Sequence, residues 1–275
     1  GVDNLQLGKL FKNESLGTTS FTLTASGNGR SINTLNAKIE SNFTELSLKN
    51  YDFSNLELYG QVANGNGNIN LNFKDNNLNF TSNTAVALDT DNSKIKLKLN
   101  VIGADLQALG IARENIKAGL DMEADFNGNF KDYALDASIK NGVAVFDGQQ
   151  YQLGNIDITS KIDTLKTEVS INSSFLTGNL KSNATPQSIN TSLTQYFKNF
   201  LQDTPKAVSQ TDTLKLKMAL KLTPNPILTK VFFRDIEQLD SISANANYNA
   251  SSKTLDSELY MPYLKYNGIT LDSLN

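Results

Sequence analysis

Side chains that could do chemistry are few in this chain. It has no His and no Cys, so the commonest general base, the thiolate nucleophile and the two best ligands for transition metals are all missing. Carboxylates, Lys, Ser and Tyr remain for acid–base or nucleophilic work. Two carboxylates can hydrolyse a glycosidic bond, but the acids here are scattered along wet strand faces, and there is no Trp for a sugar to stack on. The expectation is a protein that is not an enzyme and holds no cofactor or metal. One set of acids does recur. YDFSNLEL (51–58), YQLGNIDI (151–158) and YNGITLDS (266–273) each run Tyr, three free positions, Asn or Thr, an aliphatic residue, then Glu57, Asp157 or Asp272. Each acid lies beside an apolar neighbour on its strand and should point outward to solvent. The recurring Tyr is expected to pack over a turn.

Such repetition asks what elements carry it. Apolar and polar residues alternate with period two. SFTLTAS places Phe21, Leu23 and Ala25 on one face, with Thr22, Thr24 and Ser26 on the other. KIKLKLNV sets Ile95, Leu97, Leu99 and Val101 against Lys94, Lys96, Lys98 and Asn100. LKLKMALKL sets Leu214, Leu216, Met218, Leu220 and Leu222 against Lys215, Lys217, Ala219 and Lys221. GLDMEADF (119–126), NINLNF (68–73), NIDITS (155–160) and TEVSINSS (167–174) behave alike. Strands with one dry and one wet face are antiparallel in habit. SGNGR, NGNGN, KDNN, FNGN and FDGQQ between them supply turn residues that tolerate positive φ. The fold class is therefore all-β and antiparallel, mostly meander-like, with few helices.

Two short amphipathic helices are predicted. SINTSLTQYFKNFL (188–201) carries Ile189, Leu193, Tyr196, Phe197, Phe200 and Leu201 on one stripe. PNPILTKVFFRDIEQL (224–239) carries Ile227, Leu228, Val231, Phe232, Ile236 and Leu239, with prolines at its start. DLQALGI (105–111) reads as a short helical turn.

The repeat extends beyond the tyrosines. FTLTASGNG (21–29) aligns with LDMEADFNG (120–128), and LNAKI (35–39) with LDASI (135–139). A third unit runs LKLKMALKL, ISANANY (242–248), YNGITLDS, with the helix of 224–239 in place of the glycine turn. The expected organisation is a first β unit over 1–111, a second over 112–187, helix and linker over 188–210, and a third β unit over 211–275. Stacked units give an elongated object with a continuous apolar face.

Bulk numbers narrow the partners. Net charge is −3 and the pI about 5.1, without the basic footprint that nucleic acid demands. Nothing resembles a signal peptide or a membrane helix. The initial Gly1 and the ending LDSLN suggest a cut-out segment whose anchor lies elsewhere.

Three stretches carry a family resemblance: SLGTTSFTLTASGNGRSINTLNAKIESNFTELSLKNYDFSNLELYGQV (15–62), LKLNVIGADLQALGI (97–111) and LDSELYMPYLKYNGITLDSLN (255–275). In this order they resemble the AsmA-like superfamily, specifically the TamB-type proteins of Bacteroidetes-like bacteria, over about half of the chain. The resemblance implies an elongated, curled antiparallel sheet, taco-like, whose inner face is a hydrophobic trough. It also implies a periplasmic segment, anchored in the inner membrane by a region not present here. Such a segment serves phospholipid transport to the outer membrane, or outer-membrane protein assembly with a barrel partner. Acyl chains would then lie on the apolar faces, with Phe21, Leu23, Ile95, Leu97, Leu99, Val101, Leu120, Met122, Leu214, Leu216, Met218 and Leu220 as candidate groove residues.

Alternatives remain at this point. Alternating faces alone fit a closed sandwich core better than a groove; the resemblance reverses that for the elongated part. An extracellular adhesive or polysaccharide-binding β module is the alternative function, favoured by the abundance of Asn, Ser and Thr. The lysine rows 94, 96, 98 and 215, 217, 221 fit edge strands blunted against aggregation better than contacts to anionic headgroups at a groove rim.

Overall fold

A computed structural model describes residues 1–13, 15–48, 51–200 and 213–274. Among these residues the fold is all-β, with eighteen strands in a sheet that does not close on itself. Every described strand pairing whose register is given is antiparallel, as period-two alternation requires. The chain divides into two compact units: Gly1–Asn129 with Ala137–Asn155, and Phe130–Asp136 with Ile156–Asn275.

The first unit is a meander. Strand β1 (Val2–Gln6) and the five-residue helix α1 (Leu7–Phe11) lead into β2 (Leu16–Asn28). Then follow β3 (Asn36–Leu48), β4 (Tyr51–Phe53), β5 (Leu56–Ala63), β6 (Asn66–Lys74), β7 (Leu78–Ala87), β8 (Ser93–Asp105) and β9 (Ile116–Gly128). Each pairs with its predecessor except β5, which reaches past the short β4 to pair with β3. Local chemistry sets these hairpins. Asn64 and Gly65 both have positive φ, 49° and 74°, as a two-residue hairpin turn between twisted strands needs. Asp147–Gly148 joins β10 (Tyr133–Phe146) to β11 (Gln149–Asp163) in the same way, with φ of 50° and 72°. The turn over 105–111 is a single helical turn, closed by Leu109 N–H donating to the Asp105 carbonyl at 3.0 Å.

The second unit continues with β12 (Lys166–Ser173), β13 (Leu176–Ser182), helix α2 (Pro186–Phe200), β14 (Lys215–Leu222), β15 (Ile236–Leu239), β16 (Ile242–Asn249), β17 (Thr254–Tyr266) and β18 (Ile269–Leu274). Helix α2 forms where the sequence predicts it. Thr185 caps it, accepting the Ser188 N–H at 3.2 Å. Leu201 and the linker after it lie outside the described residues.

The second predicted helix does not form over 224–239. A π-helical turn spans Leu228–Phe232, and Ile236–Leu239 is strand β15, paired with β17. The apolar spacing misleads because it serves two elements. Ile227, Leu228 and Val231 are buried in the turn, while Leu239 is buried from the strand. The free edge of β17 offers backbone partners over Leu264–Tyr266, and pairing with it satisfies more backbone than one further helical turn.

The repeat holds in its hairpins and dissolves at its tyrosines. Gly29, just past the end of β2, and Gly128, the last residue of β9, are aligned by sequence and have φ of 149° and 135°. The three tyrosine motifs build three different things. Asn55 breaks the chain between β4 and β5, Gly154 lies inside the continuous β11, and Asn267–Gly268 is the β17–β18 hairpin turn. Tyr51 donates to the Asp75 carboxylate and accepts from Asn77 at 2.9 Å, buttressing a neighbouring turn. Tyr151 instead donates to Gln149 at 2.9 Å, and Tyr266 is 47% exposed.

The lysine rows are corrected too. Neither occupies an edge strand. β8 lies between β7 and β9, and β14 between β13 and β16. Lys96 and Lys98 meet Asp125 and Glu123 of β9 at 3.3 and 3.7 Å. They point from the polar face, away from the apolar one.

Candidate functional site

Register turns scattered alternation into a surface. Directly paired residues in antiparallel strands project to the same side. In the first unit Phe21, Phe43, Leu56, Phe73, Phe80, Val101 and Leu120 therefore form one row across β2, β3 and β5–β9. The next row is Leu23, Ser41, Leu58, Leu71, Ser82, Leu99 and Met122. Two further rows contain Leu97 with Ile39 and Ile69, and Ile95 with Val62, Val86 and Phe126. All eight candidate residues of this unit thus share one apolar face.

This face is not a finished core. A core aliphatic side chain is normally almost fully buried. Leu58, Ile69, Leu71, Ile95, Leu97, Leu99, Val101, Leu120 and Met122 are instead only half-buried, and Leu23 is 48% exposed. The row through Phe73 is the driest part. Phe73 is 3% exposed, 5.3 Å from the Phe80 ring and 5.5 Å from Phe53. Phe21 and Phe43 stack at 5.1 Å. Offset aromatic contacts of this kind stiffen one border of the face.

Sequence reasoning missed half of the surface. Phe43, Leu56, Leu58, Leu71, Phe73 and Phe80 lie between the named residues. The alternation in NINLNF holds two of them, but assigning them to this face requires knowing which strand pairs with which.

The opposite side of the first unit is polar and dimpled. A depression of about 610 Å³ is lined by residues including Asn70, Asn83, Lys98, Asn100, Asp121, Glu123 and Asn141. A second, of about 410 Å³, includes Glu40, Asn42, Glu57, Tyr59 and Asn72. These groups mostly satisfy one another. Asn141 and Asn100 donate to Asp121 at 2.7 and 2.5 Å and hold its carboxyl below the usual range. Asn72 donates to Glu57 at 2.8 Å, while its own Oδ1 is buried with no partner among the described residues. The recurring acids Glu57, Asp157 and Asp272 are exposed.

The second unit has an equivalent apolar face with a different fate. Its rows run Ile158, Ile171, Gly178, Leu220, Ala244, Leu259, and Ser160, Val169, Leu180, Met218, Ala246, Ser257. Exposure climbs along β14. Leu214 is 2% exposed, Leu216 6%, Met218 half-buried and Leu220 38%. Helix α2 is the cause. Ile189 packs with Leu214, Leu216 and Tyr248 in a buried cluster, edged by Leu180, Leu193, Tyr196 and Leu255. Leu214 and Leu216 are therefore corrected: they are core beneath a helix in this structure, not lining of an open groove. Met218 and Leu220 lie on the uncovered part.

Among the described residues no cluster of acids could hold a metal ion, and no helix is long and apolar enough to cross a membrane. The chain matches no protein-family model, no curated protein and no solved structure.

Proposed function

We propose that the apolar face of the first unit binds lipid acyl chains, in a periplasmic segment of a TamB-type, AsmA-like protein that is anchored in the inner membrane through a region outside this sequence. The observation that carries this reading is the set of half-buried aliphatic side chains at 95, 97, 99 and 101, each continued as a row by strand register across seven strands. Each CH₂ left in water costs ~0.8 kcal/mol relative to burial, so a broad uncovered face of this kind favours an apolar occupant. The polar side stays wet beneath it. Phospholipid moving towards the outer membrane fits this division, and so does an apolar strand of an outer-membrane barrel client.

Native mass spectrometry of the protein produced in a bacterial periplasm tests the reading. Co-purified phospholipid should be present, lost in Leu97→Asp and Leu99→Asp, and retained in Lys98→Glu on the opposite face. A protein that carries no lipid and takes up no fluorescent fatty acid would sink it.

A second reading rests on the polar depressions and the unpaired Asn72 Oδ1. Amides and carboxylates so placed would suit an extracellular polysaccharide-binding module. Calorimetric titration with neutral oligosaccharides, and its loss in Asn72→Ala, would favour this reading over lipid.

A further inference from the structure

The apolar face of the second unit shows its occupant. Helix α2 lies on β13, β14 and β16 through one narrow stripe, Ile189, Leu193 and Tyr196. Its next apolar residue, Phe197, is 47% exposed, so the stripe is not fully used. Inside the contact sits one polar link. Ser192, 7% exposed, meets the Tyr248 hydroxyl at 2.9 Å. The Tyr196 ring stands edge-on to Tyr248 at 5.4 Å. The face continues past the helix in the same rows, through Met218 to Leu220, 38% exposed, and Leu259, 45% exposed.

The helix is tied firmly at its start. Asn183 donates to the Thr213 carbonyl at 3.0 Å and accepts the Lys215 N–H at 2.7 Å. Thr167 donates to the Ala184 carbonyl at 2.6 Å. The body of the helix meets the sheet through the Ser192–Tyr248 link and three apolar side chains, of which only Ile189 is buried. Firm tethering at one end and a thin apolar contact beyond it are what a hinged cover needs.

We propose that α2 stands in for an acyl chain: the patch of Leu180, Leu214, Leu216, Tyr248 and Leu255 is a second acyl-chain site, closed by the chain's own helix and opened when lipid arriving along the Met218–Leu220 rows displaces it. This inference rests on the lipid-binding reading above. The logic is competition for one apolar surface. A helix stripe and an acyl chain both cover the same leucines, and a lipid that binds only the uncovered state shifts the helix off in proportion to its preference for that state.

The absence of cysteines from this sequence allows a direct test with the 275-residue chain as it stands. Ser192→Cys places a thiol on the covered side of α2, and Leu99→Cys places one on the first unit's open face. Maleimide labelling is followed with and without a fourteen-carbon lysophosphatidylglycerol below its micelle concentration. The expected result is protection of Leu99→Cys together with faster labelling of Ser192→Cys, by about fivefold or more, as expected for a local opening made dominant by ligand. Ile189→Cys, also covered by the helix contact, is the second reporter should Ser192→Cys disturb the fold, and it should accelerate likewise. Protection at Leu99 with unchanged or slower labelling at both helix positions overturns the inference and leaves α2 a fixed cover. No protection at Leu99 removes the lipid-binding reading, and the second acyl site falls with it.

Discussion

Leu97 and Leu216 make an instructive pair. Each sits in a strand between two lysines, Leu97 between Lys96 and Lys98 and Leu216 between Lys215 and Lys217. Each belongs to an apolar row that spans several antiparallel strands. Yet Leu97 is only half-buried, whereas Leu216 is 6% exposed. The strands do not differ in kind; the cover does. In the second unit α2 lies over the row, while in the first the same kind of face keeps its aliphatic side chains partly in water. The burial of a strand's apolar face is thus decided by what is packed on it, not by the strand.

The largest effect should separate these two leucines. Leu216→Asp places an uncompensated charge under α2 and should cost about 3–5 kcal/mol, read as a large fall in the urea midpoint of the second unit. Leu97→Asp, with solvent at hand, should cost only about 1 kcal/mol while abolishing lipid carriage. Equal losses at both sites would erase the distinction between covered and open faces.

The repeat can be sharpened next. Gly29 and Gly128 share a positive φ at aligned positions. A Cβ on Gly29 would also come within 2.9 Å of the Leu35 Cα. Gly29→Ala and Gly128→Ala should each cost about 1–3 kcal/mol, by chemical denaturation, and by similar amounts. A cost at one position only would show that the two hairpins are not equivalent. A smaller effect, about 1 kcal/mol, is expected for Tyr248→Phe, which strands the buried Ser192 hydroxyl; thermal unfolding would read it.

The smallest prediction concerns acid. Partial burial of Asp75 opposes its ionisation, but hydrogen bonds from Tyr51, Asn77 and Ser54 outweigh that, and its pKa is lowered. A carboxyl lowered on folding stabilises fully above the ordinary carboxylate range and loses that contribution as pH falls through the lowered value. Asp75→Asn should therefore flatten the acid limb of stability against pH for the first unit, by no more than about 1 kcal/mol given its contact with solvent. An unchanged acid limb would refute the role given to this cluster.

Much of this was legible in the sequence, for identifiable reasons. Period-two alternation located the strands, and Asn-Gly and Asp-Gly pairs located the tight turns, because both signals are local. The stripe of α2 was equally local. What failed were features decided by distant partners. The segment 224–239 has helical spacing, but the edge of β17 takes its second half as a strand. The lysine rows look like edge protection until the strands on either side are known. The three tyrosine motifs share letters but not turns, since Asn55, Gly154 and Gly268 take positive φ at different distances from the tyrosine. Among the candidate groove residues, register joins the eight of the first unit on one face, and only packing reveals that Leu214 and Leu216 are covered.

The central claim is that the first unit's apolar side, and not its polar side, meets acyl chains. Photo-crosslinking along β8 in the periplasm tests it most directly, with a photoreactive residue placed in turn at positions 94 to 101. Crosslinks to phospholipid at 95, 97, 99 and 101, and none at 94, 96, 98 and 100, are the predicted result. Crosslinking without alternation, or none at any position, would contradict it.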